Sequence, residues 1–295
     1  MPLEMTHQLD GYEFGTREHP VVILTGGYDP GATDSRTQDV ENPVGDGNLF
    51  GQDWLTAPEM AFSMAVVRDT AEQAHAALAE LASAWRADKV RKSPGAVSTL
   101  RFYRGGRWWR VYGRPRKFAA RPKEFSKERV QLVEATFKLM HPVLEVDDGQ
   151  PASTVTLQLV AGPGDGGLVL PADVPFDLEA GSQARENYTT VAGVLPPVFV
   201  VTIKGPVSGS LTDARVYGPG WSFSIGQPIA WDQTVRIDTR TQTVTLNGSQ
   251  RPGLIGPRDR LTARLALGSQ TIGFSGNDPT NSATATVAWR AQQPL

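Results

Sequence analysis

The chain of 295 residues contains no cysteine. Disulfide bridges, thiolate metal sites and cysteine nucleophiles are therefore excluded. The opening segment, MPLEMTHQLD, lacks the basic and apolar stretches of a secretory signal peptide. The sequence also has no run of about 18 consecutive apolar residues, the length that a membrane-spanning helix requires. We therefore expect synthesis in the cytoplasm and no insertion into a membrane.

Residues that commonly carry catalysis or bind metals are also sparse. The four histidines are scattered along the chain: His7, His19, His75 and His141. Only His75 has carboxylates near it at helical spacing, Glu72 and Glu80, and these belong to a face that we expect to be solvated. No Gly-x-Ser-x-Gly elbow occurs, and the adjacent pair Asp147–Asp148 is typical of any acidic loop. We expect no catalytic residue, no metal site, no cofactor and no enzymatic activity.

Two glycine-rich stretches match ligand-binding motifs only in part. GPGDGG, at 162–167, fits the pattern of a dinucleotide-binding loop, but the GLVLPADVP that follows cannot begin the helix which such a loop requires. GDGNLFGQD, at 45–53, lacks the alternating carboxylates of a calcium loop. Both stretches are therefore predicted to be turns.

Charge is distributed unevenly, although the net charge of the whole chain is only −2. Residues 1–60 contain eleven acidic and two basic side chains, a net charge of −9. Residues 86–129 contain fifteen basic and three acidic side chains, a net charge of +12, and residues 150–295 are balanced. Such runs are often solvated faces. The two blocks are nevertheless complementary in sign.

One helix is predicted, at about 70–90, in the stretch TAEQAHAALAELASAWRADKV. Its apolar residues recur at helical spacing: Ala71, Ala74, Leu78, Leu81, Ala82 and Trp85. Asp69, followed three residues later by Glu72, is typical of a capping box. We expect Trp85 to be buried.

Nearly all the remaining chain predicts short strands, so the fold class is mainly β with one principal helix (α+β). A Pro-, Asp- and Gly-rich segment at 142–153 marks the expected boundary between domains at 1–148 and 149–295. The second domain is predicted to be an all-β sandwich or jelly roll. Its predicted strands are TVTLQLV, PVFVVTIKG, WSFSIG, TVRIDT, TQTVTLNG, LTARLAL, QTIGFSG and ATATVAWR.

The stretch FYRGGRWWRVYGRP, at 102–115, predicts a β-hairpin with Gly105-Gly106 as its two-residue turn. Strand alternation then places Leu100, Phe102, Trp109 and Val111 on a face that packs on a core. The opposite face carries Thr99, Arg101, Tyr103, Trp108, Arg110 and Tyr112.

On that second face, Arg101 lies opposite Arg110, and a like-charge pair across two strands is destabilising. A negative group is therefore expected beside it. Phosphates could supply the charge, because proteins that bind single-stranded nucleic acids combine arginine with aromatic rings. The acidic block of this chain or of a second copy is the alternative. We favour a protein interface, because the chain is slightly acidic overall and has no nucleic-acid motif.

The order of several motifs resembles that of siphophage distal tail proteins (Dit-like), called minor tail proteins in phages of actinobacteria. In the first half these are VVILTGGYDPGATDSRTQDVENPVGDGNLFGQD, the capped helix, RVYGRPRKF and FKLMHPVLEVDD. In the second half they are GGLVLPADVPFDL, PPVFVVTIKGPVSGSLTDARV, VRIDTRTQTVTLNG and LALGSQTIGFSGNDPTNSATATVAWR.

The resemblance implies an N-terminal split β-barrel that assembles into a hexameric ring and a C-terminal galectin-like β-sandwich. It implies a structural role at the distal end of the virion tail, within the tail tip or baseplate. The expected partners are further copies of the chain, the major tail tube protein, the tape measure protein and a tail-tip hub protein. DNA would pass through the ring without stable binding.

A carbohydrate-binding module for the host surface is the alternative function. Galectins use a histidine to recognise galactose, and this chain has none after His141. Trp221 and Trp231 are expected to be core residues rather than sugar platforms. For the ring, we predict a subunit interface on the basic hairpin and the strand after it, near acids of the first block. Its residues are Arg101, Tyr103, Trp108, Arg110, Tyr112, Arg114 and Arg116.

Overall fold

The structure is a computed structural model that describes residues 3–122, 129–148, 152–159 and 183–295. It is mainly β, as predicted, with one long helix. The chain divides into two compact units, Met1–Gln150 together with Gln293–Leu295, and Pro151–Gln292. The GPGDGG stretch lies outside the described residues.

The first unit is built on one sheet with antiparallel neighbours in the order β2-β1-β9-β10-β11-β8-β3. A parallel bridge between Gly15 and Val22 joins the two ends of this order. The strands of this unit are β1 (His7–Leu9), β2 (Tyr12–Phe14), β3 (Val21–Asp29), β4 (Ser35–Arg36), β5 (Val40–Glu41), β6 (Asn48–Leu49), β7 (Trp54–Leu55), β8 (Glu59–Val67), β9 (Ser98–Arg104), β10 (Arg107–Pro122), β11 (Val130–Leu139) and β12 (Val143–Val146).

Strand β8 was not among the predicted strands. Its sequence, EMAFSMAVV, is rich in residues that favour helices, and propensity alone conceals the strand. The alternation of its side chains nevertheless identifies β8 as a strand, because Met60, Phe62, Met64 and Val66 are all buried. Pairing with β11 and β3 on its two sides overrides the local preference.

The predicted helix is confirmed as α1 (Ala71–Arg86), but both of its ends differ from the prediction. Thr70 rather than Asp69 is the N-cap, and its side chain accepts a hydrogen bond from the Gln73 amide at 3.2 Å. Ala87 adopts a left-handed conformation with φ 45°, which ends α1 before the short helix α2 (Asp88–Arg91).

Helix α1 covers the core of the first unit with one apolar face. Trp85 is 1% exposed, as predicted, and its Nε1 donates to the carbonyl oxygen of Thr136 at 3.1 Å. Its ring meets those of Phe14 and Phe62 edge-on, at centroid distances of 5.9 and 5.7 Å. The buried residues of α1 are Ala74, Ala77, Leu81 and Trp85.

His7 is buried in the same core. Burial lowers the pKa of His7 from 6.5 to about 4, although a hydrogen bond between Nδ1 and the Met5 carbonyl oxygen, at 2.6 Å, partly opposes this. The ring is therefore neutral at pH 7, with Nδ1 as the donor. Four aromatic rings surround it at centroid distances of 5.3 to 5.8 Å: those of Phe14, Tyr28, Phe62 and Phe102.

The second unit contains two antiparallel sheets, in the orders β13-β23-β15-β19-β20-β21 and β14-β22-β16-β17, with β18 paired to β16. Its strands are β13 (Ser153–Gln158), β14 (Gln183–Val191), β15 (Phe199–Lys204), β16 (Ser210–Gly218), β17 (Trp221–Ser224), β18 (Ile229–Ala230), β19 (Thr234–Asp238), β20 (Thr243–Leu246), β21 (Ser249–Gln250), β22 (Gly268–Asn277) and β23 (Thr284–Trp289), with a 3-10 helix at Pro252–Leu254. Buried residues of both sheets form one hydrophobic core, as in a β-sandwich.

The last strand, β24 (Gln292–Pro294), pairs with β12, so residues 293–295 belong to the first unit rather than to the second.

Two predictions for the second unit were wrong. LTARLAL is not a strand: Leu265 is buried and Leu261 and Ala263 pack against the core, yet the segment joins no sheet. Its alternation reflects packing of an irregular segment, which periodicity cannot distinguish from a strand. Trp221 is a core residue, as expected, but Trp231 is 64% exposed and follows β18 at a turn.

Candidate functional site

The basic hairpin forms with the predicted register. Strands β9 and β10 pair Arg104 with Arg107, and Arg101 with Arg110. Both turn residues, Gly105 and Gly106, have positive φ, of 62° and 77°, which a two-residue turn of this kind requires. The predicted inner face is buried: Leu100, Phe102, Trp109 and Val111.

An acidic side chain from the first block contacts the turn of the hairpin. The two carboxylate oxygens of Glu4 accept hydrogen bonds from the amides of Gly105 and Gly106, both at 3.2 Å. A carboxylate at this position satisfies two backbone donors that the tight turn leaves exposed. Glu4 therefore holds the chain terminus against the turn.

The negative group beside the arginine pair is Asp147, which directly follows β12. Its Oδ2 accepts from Nε of Arg101 at 2.5 Å and from Nε and Nη2 of Arg110 at 2.8 and 2.7 Å. The side chain of Asp147 is 3% exposed. One buried oxygen thus compensates both guanidinium groups within a single chain.

This result corrects the source of charge that the sequence suggested. The first acidic block contributes a neutral contact instead, because Oε1 of Gln8 accepts from Nη1 of Arg101 at 2.7 Å. Burial lowers the pKa of Arg110, but contacts with Tyr112 and Asp147 outweigh that effect and raise the pKa overall. Arg101 and Arg110 are therefore parts of a charge cluster inside the first unit.

Aromatic rings complete this cluster. The guanidinium of Arg101 lies over the Trp108 ring at 4.9 Å, and Tyr103 meets Trp108 edge-on at 5.7 Å. Tyr103, which was predicted to be an interface residue, is only 9% exposed in the single chain. Arg107 pairs with Asp148 at 3.3 Å in a more exposed position. Most of the predicted interface face is thus already occupied by intrachain contacts.

The strand beyond the hairpin presents a different basic surface. Arg114 donates to the carbonyl oxygens of Ala96 and Ser93, both at 2.8 Å. It lines a groove of about 320 Å³ together with Arg116 and Lys138. Arg116 is exposed and forms no ion pair with the residues that the structure describes. We call this surface the basic groove.

Between β3 and β8 the chain forms a projecting arm, residues 30–57. Two small hairpins, β4 with β7 and β5 with β6, run along it. The arm carries five acidic side chains and one basic side chain, a net charge of −4. From residue 32 to residue 56 every side chain except Asn42 is exposed. The stretch 45–53, predicted to be a turn, contains the end of the turn between β5 and β6 but also β6 itself.

The arm exposes apolar side chains that a single chain does not bury. Val44 is 93% exposed and Phe50 is 86% exposed. The other exposed apolar residues of the arm are Val40, Leu49, Trp54 and Leu55. Several large apolar side chains exposed within one short segment are typical of an interaction site. Sequence reasoning missed this surface, although the combination of apolar residues with an acidic, glycine-rich stretch is visible in VENPVGDGNLFGQDWL.

Within residues 3–122, 129–148, 152–159 and 183–295, no group of three or more histidine, aspartate or glutamate side chains is arranged to hold a metal ion. In those same ranges, no helix has the length and apolarity needed to cross a bilayer.

Comparison with known proteins identified relatives by structure alone. No family model and no curated protein matched the sequence. The crystal structure of the Dit protein of phage SPP1, described as a paradigm of hub adsorption apparatus in phages infecting Gram-positive bacteria, superposes with a TM-score of 0.56 at 11% identity. Structures of the phage P2 baseplate in its activated conformation give TM-scores of 0.53 with calcium, at 9% identity, and 0.54 with strontium, at 10% identity. Each of the three superpositions covers 98% of this chain and 98% of the other chain. The resemblance to phage distal tail proteins that the sequence suggested is thus confirmed at the level of the fold.

Proposed function

We propose that this protein is a structural adaptor of a phage tail tip, a distal tail protein. Its first unit, a split β-barrel, assembles into a hexameric ring under the tail tube, through which the tape measure protein and DNA pass. Its second unit, a galectin-like sandwich, lies at the periphery and docks other tail-tip proteins. The partners are the tail tube protein and the hub protein, and no catalysis is involved.

The observation that carries this proposal is the agreement of fold over 98% of both chains with the SPP1 Dit protein. The superposition extends over both units of this chain, rather than over one of them. The parallel bridge between Gly15 and Val22, which brings the ends of the sheet order together, supports a barrel-like closure of this sheet.

The arm supports assembly independently of this comparison. It exposes Val44 and Phe50 and buries almost none of its own surface, so its ordered conformation needs a second chain to cover it. In a ring, two different surfaces of one chain must complement each other. We propose that the arm of one copy, with its net charge of −4, docks on the basic groove of its neighbour around Arg114 and Arg116.

This proposal retains only some of the residues that were predicted to form the subunit interface on the hairpin and the strand after it. Arg101 and Arg110 are compensated by Asp147 and serve to fix the shape of the ring-forming unit. Trp108 and Tyr112 are half-buried and retain surface for a neighbour. Arg116, exposed and outside the charge cluster, is the stronger candidate for an ion pair between subunits.

Light scattering on purified variants tests the arm. In Val44→Asp/Phe50→Asp, both changes lie at exposed positions, so the chain should keep its native circular dichroism spectrum while the oligomer dissociates. Val207→Asp is the matched control, because Val207 is 75% exposed in the second unit. It should leave the mass of the assembly unchanged. An arm variant that assembles like the native chain contradicts the proposal.

A charge exchange then tests the groove. Arg116→Glu should weaken assembly at low salt, where exposed charges act most strongly. Adding Asp46→Lys and Asp53→Lys in the arm should restore assembly. Recovery after the exchange supports arm-to-groove docking, whereas unchanged assembly in Arg116→Glu excludes this groove.

A further inference from the structure

A second basic surface lies in the second unit, far along the sequence from the groove described above. Strands β16 and β17, together with the segment at 258–263, line a cleft of about 580 Å³. Three of its lining residues are arginines, Arg215, Arg258 and Arg260. We call it the arginine cleft.

The segment that closes the cleft is held in place by Asp259. Its Oδ2 accepts hydrogen bonds from the amides of Ser224 and Gly256, at 2.7 and 3.0 Å. The Gly256 amide also donates to the carbonyl oxygen of Ser224 at 3.1 Å. These contacts fix the backbone on which Arg258 and Arg260 flank Asp259.

The three arginines are not neutralised within the described part of the chain. The carboxylate nearest to two of them in sequence, Asp259, is occupied by backbone amides, and none of the three forms an ion pair with a described residue. The guanidinium of Arg215 instead lies over the Tyr217 ring at 5.6 Å. Cations that share a cleft repel one another, and an anion bound among them removes that cost.

Tyr217 gives the cleft a rigid aromatic surface. Its ring lies across Gly273 so closely that a Cβ atom there would come within 2.2 Å of the ring, so a larger residue at 273 would displace the ring from this position. Its hydroxyl group donates to Oε1 of Glu186 at 2.9 Å. A ring fixed at both its face and its tip is suited to stacking against a sugar or another flat apolar face.

The cleft also contains a hydrogen-bond donor without a partner. Trp221 lines it and is 8% exposed, and its Nε1 has no acceptor among the described residues. Gly218 lies against this edge of the indole, since a Cβ atom there would come 2.8 Å from Nε1. A buried donor without an acceptor is costly unless a ligand or water satisfies it.

A peptide is poorly suited to this surface as an added strand. The edge beside β17 is already taken, because Ile225 bridges to Ile255 and the Gly226 amide donates to the carbonyl oxygen of Leu254 at 2.8 Å. Addition of a peptide strand requires an open sheet edge. The remaining features are a compact cleft, three guanidinium groups and a fixed aromatic ring.

We propose that the arginine cleft binds an anionic saccharide, with the carboxylate or phosphate on the arginines and a sugar ring against Tyr217. The size of the cleft is in the range of small-ligand sites. This inference concerns the second unit alone and does not depend on ring assembly, which is measured separately by mass.

Isothermal titration calorimetry on the full chain tests the site with four defined probes. Galacturonate tetrasaccharide carries carboxylates and glucose 6-phosphate carries a phosphate, while maltotetraose is neutral and hexaglutamate is an acidic peptide. We expect at least one anionic sugar to bind, and maltotetraose and hexaglutamate to bind at least about tenfold more weakly. The anionic sugar that binds more tightly identifies the acidic group.

One variant of the cleft and one control variant test whether the sugar binds in the arginine cleft. Arg258→Ala/Arg260→Ala should weaken the anionic sugar by about tenfold or more, since each lost charge-assisted hydrogen bond accounts for about that factor. Arg251→Ala removes an exposed arginine of the same unit that does not line the cleft, and it should leave binding unchanged. Circular dichroism melting checks that all variants fold.

Four outcomes overturn the proposal. Failure of both anionic sugars to bind at millimolar concentration excludes the site. Equal binding of hexaglutamate shows an acidic protein segment as the occupant, and equal binding of maltotetraose shows that the arginines do not select an anion. Equal weakening in Arg251→Ala shows a general charge effect.

Discussion

Asp147 lies against Arg110 with its Oδ2 2.7 Å from Nη2 and 2.8 Å from Nε, and the same oxygen also compensates Arg101. Replacing it should leave two partly buried guanidinium groups repelling each other. We expect Asp147→Asn to lower the free energy of unfolding by about 2 to 3 kcal/mol, below the full effect for a buried pair because both arginines retain some solvent.

Asp148→Asn is the matched control for this prediction. Asp148 pairs with Arg107 at 3.3 Å, and both side chains are at least a third exposed, so the change should cost less than about 1 kcal/mol. Removing Arg110 together with Asp147, as in Arg110→Gln/Asp147→Asn, should cost less than the two single changes combined. The free energies of unfolding are measured by urea denaturation. If Asp147→Asn and Asp148→Asn lower this free energy equally, the Asp147 contacts contribute little to stability.

The helix gives a second prediction. Trp85→Ala should lower the free energy of unfolding by about 3 to 5 kcal/mol, because it removes a ring that Phe14 and Phe62 enclose. Trp85→Phe should cost less, since it keeps most of the packing but leaves the Thr136 carbonyl oxygen without its donor. A loss below about 1 kcal/mol in Trp85→Ala would show that the helix does not cover this core.

His7 gives a prediction for pH. Its pKa in the folded chain is about 4, below the ordinary 6.5, so between these values the unfolded chain binds a proton that the folded chain does not. Stability is therefore complete above pH 6.5 and declines as the pH falls toward 4, by about 3 kcal/mol from this group.

His7→Asn isolates that contribution, because an amide can still donate to the Met5 carbonyl oxygen without titrating in this range. Unfolding free energies measured at pH 7 and at pH 4 should differ by about 3 kcal/mol less in the variant than in the native chain. An unchanged pH dependence in His7→Asn would show that folding does not lower the pKa of His7.

Nucleic-acid binding should be weak despite the arginine-rich hairpin. Asp147 compensates Arg101 and Arg110, and Asp148 pairs with Arg107, so few cations of the hairpin remain for phosphates. We expect a dissociation constant above about 10⁻⁵ M for a single-stranded oligonucleotide at physiological salt, measured by fluorescence anisotropy. Tight binding with a steep dependence on salt would restore the nucleic-acid interpretation.

The sequence predicted best those features that depend on neighbouring residues. Two glycines and strict alternation determined the register of the hairpin, and the apolar period determined α1. Asp147 was not identified as the partner of Arg101, because the two residues are 46 positions apart and meet only through the pairing of β12 with β10. Long-range pairing of this kind leaves no local signal.

Three other differences between the prediction and the structure also arise from long-range packing, which leaves no local signal in the sequence. Strand β8 forms from residues of helical preference because both of its edges find partners. The LTARLAL segment has a strand-like pattern but joins no sheet. The arm was interpreted as a turn at its tip, since a sequence does not reveal that apolar residues such as Phe50 will find no core in their own chain.

Electron microscopy of the purified protein tests the central claim most directly. End-on views should show a closed ring of six copies around an open channel, with the second units at the outer edge. Particles of single-chain size at every concentration up to the micromolar range would contradict the ring and, with it, the proposed role in a phage tail tip.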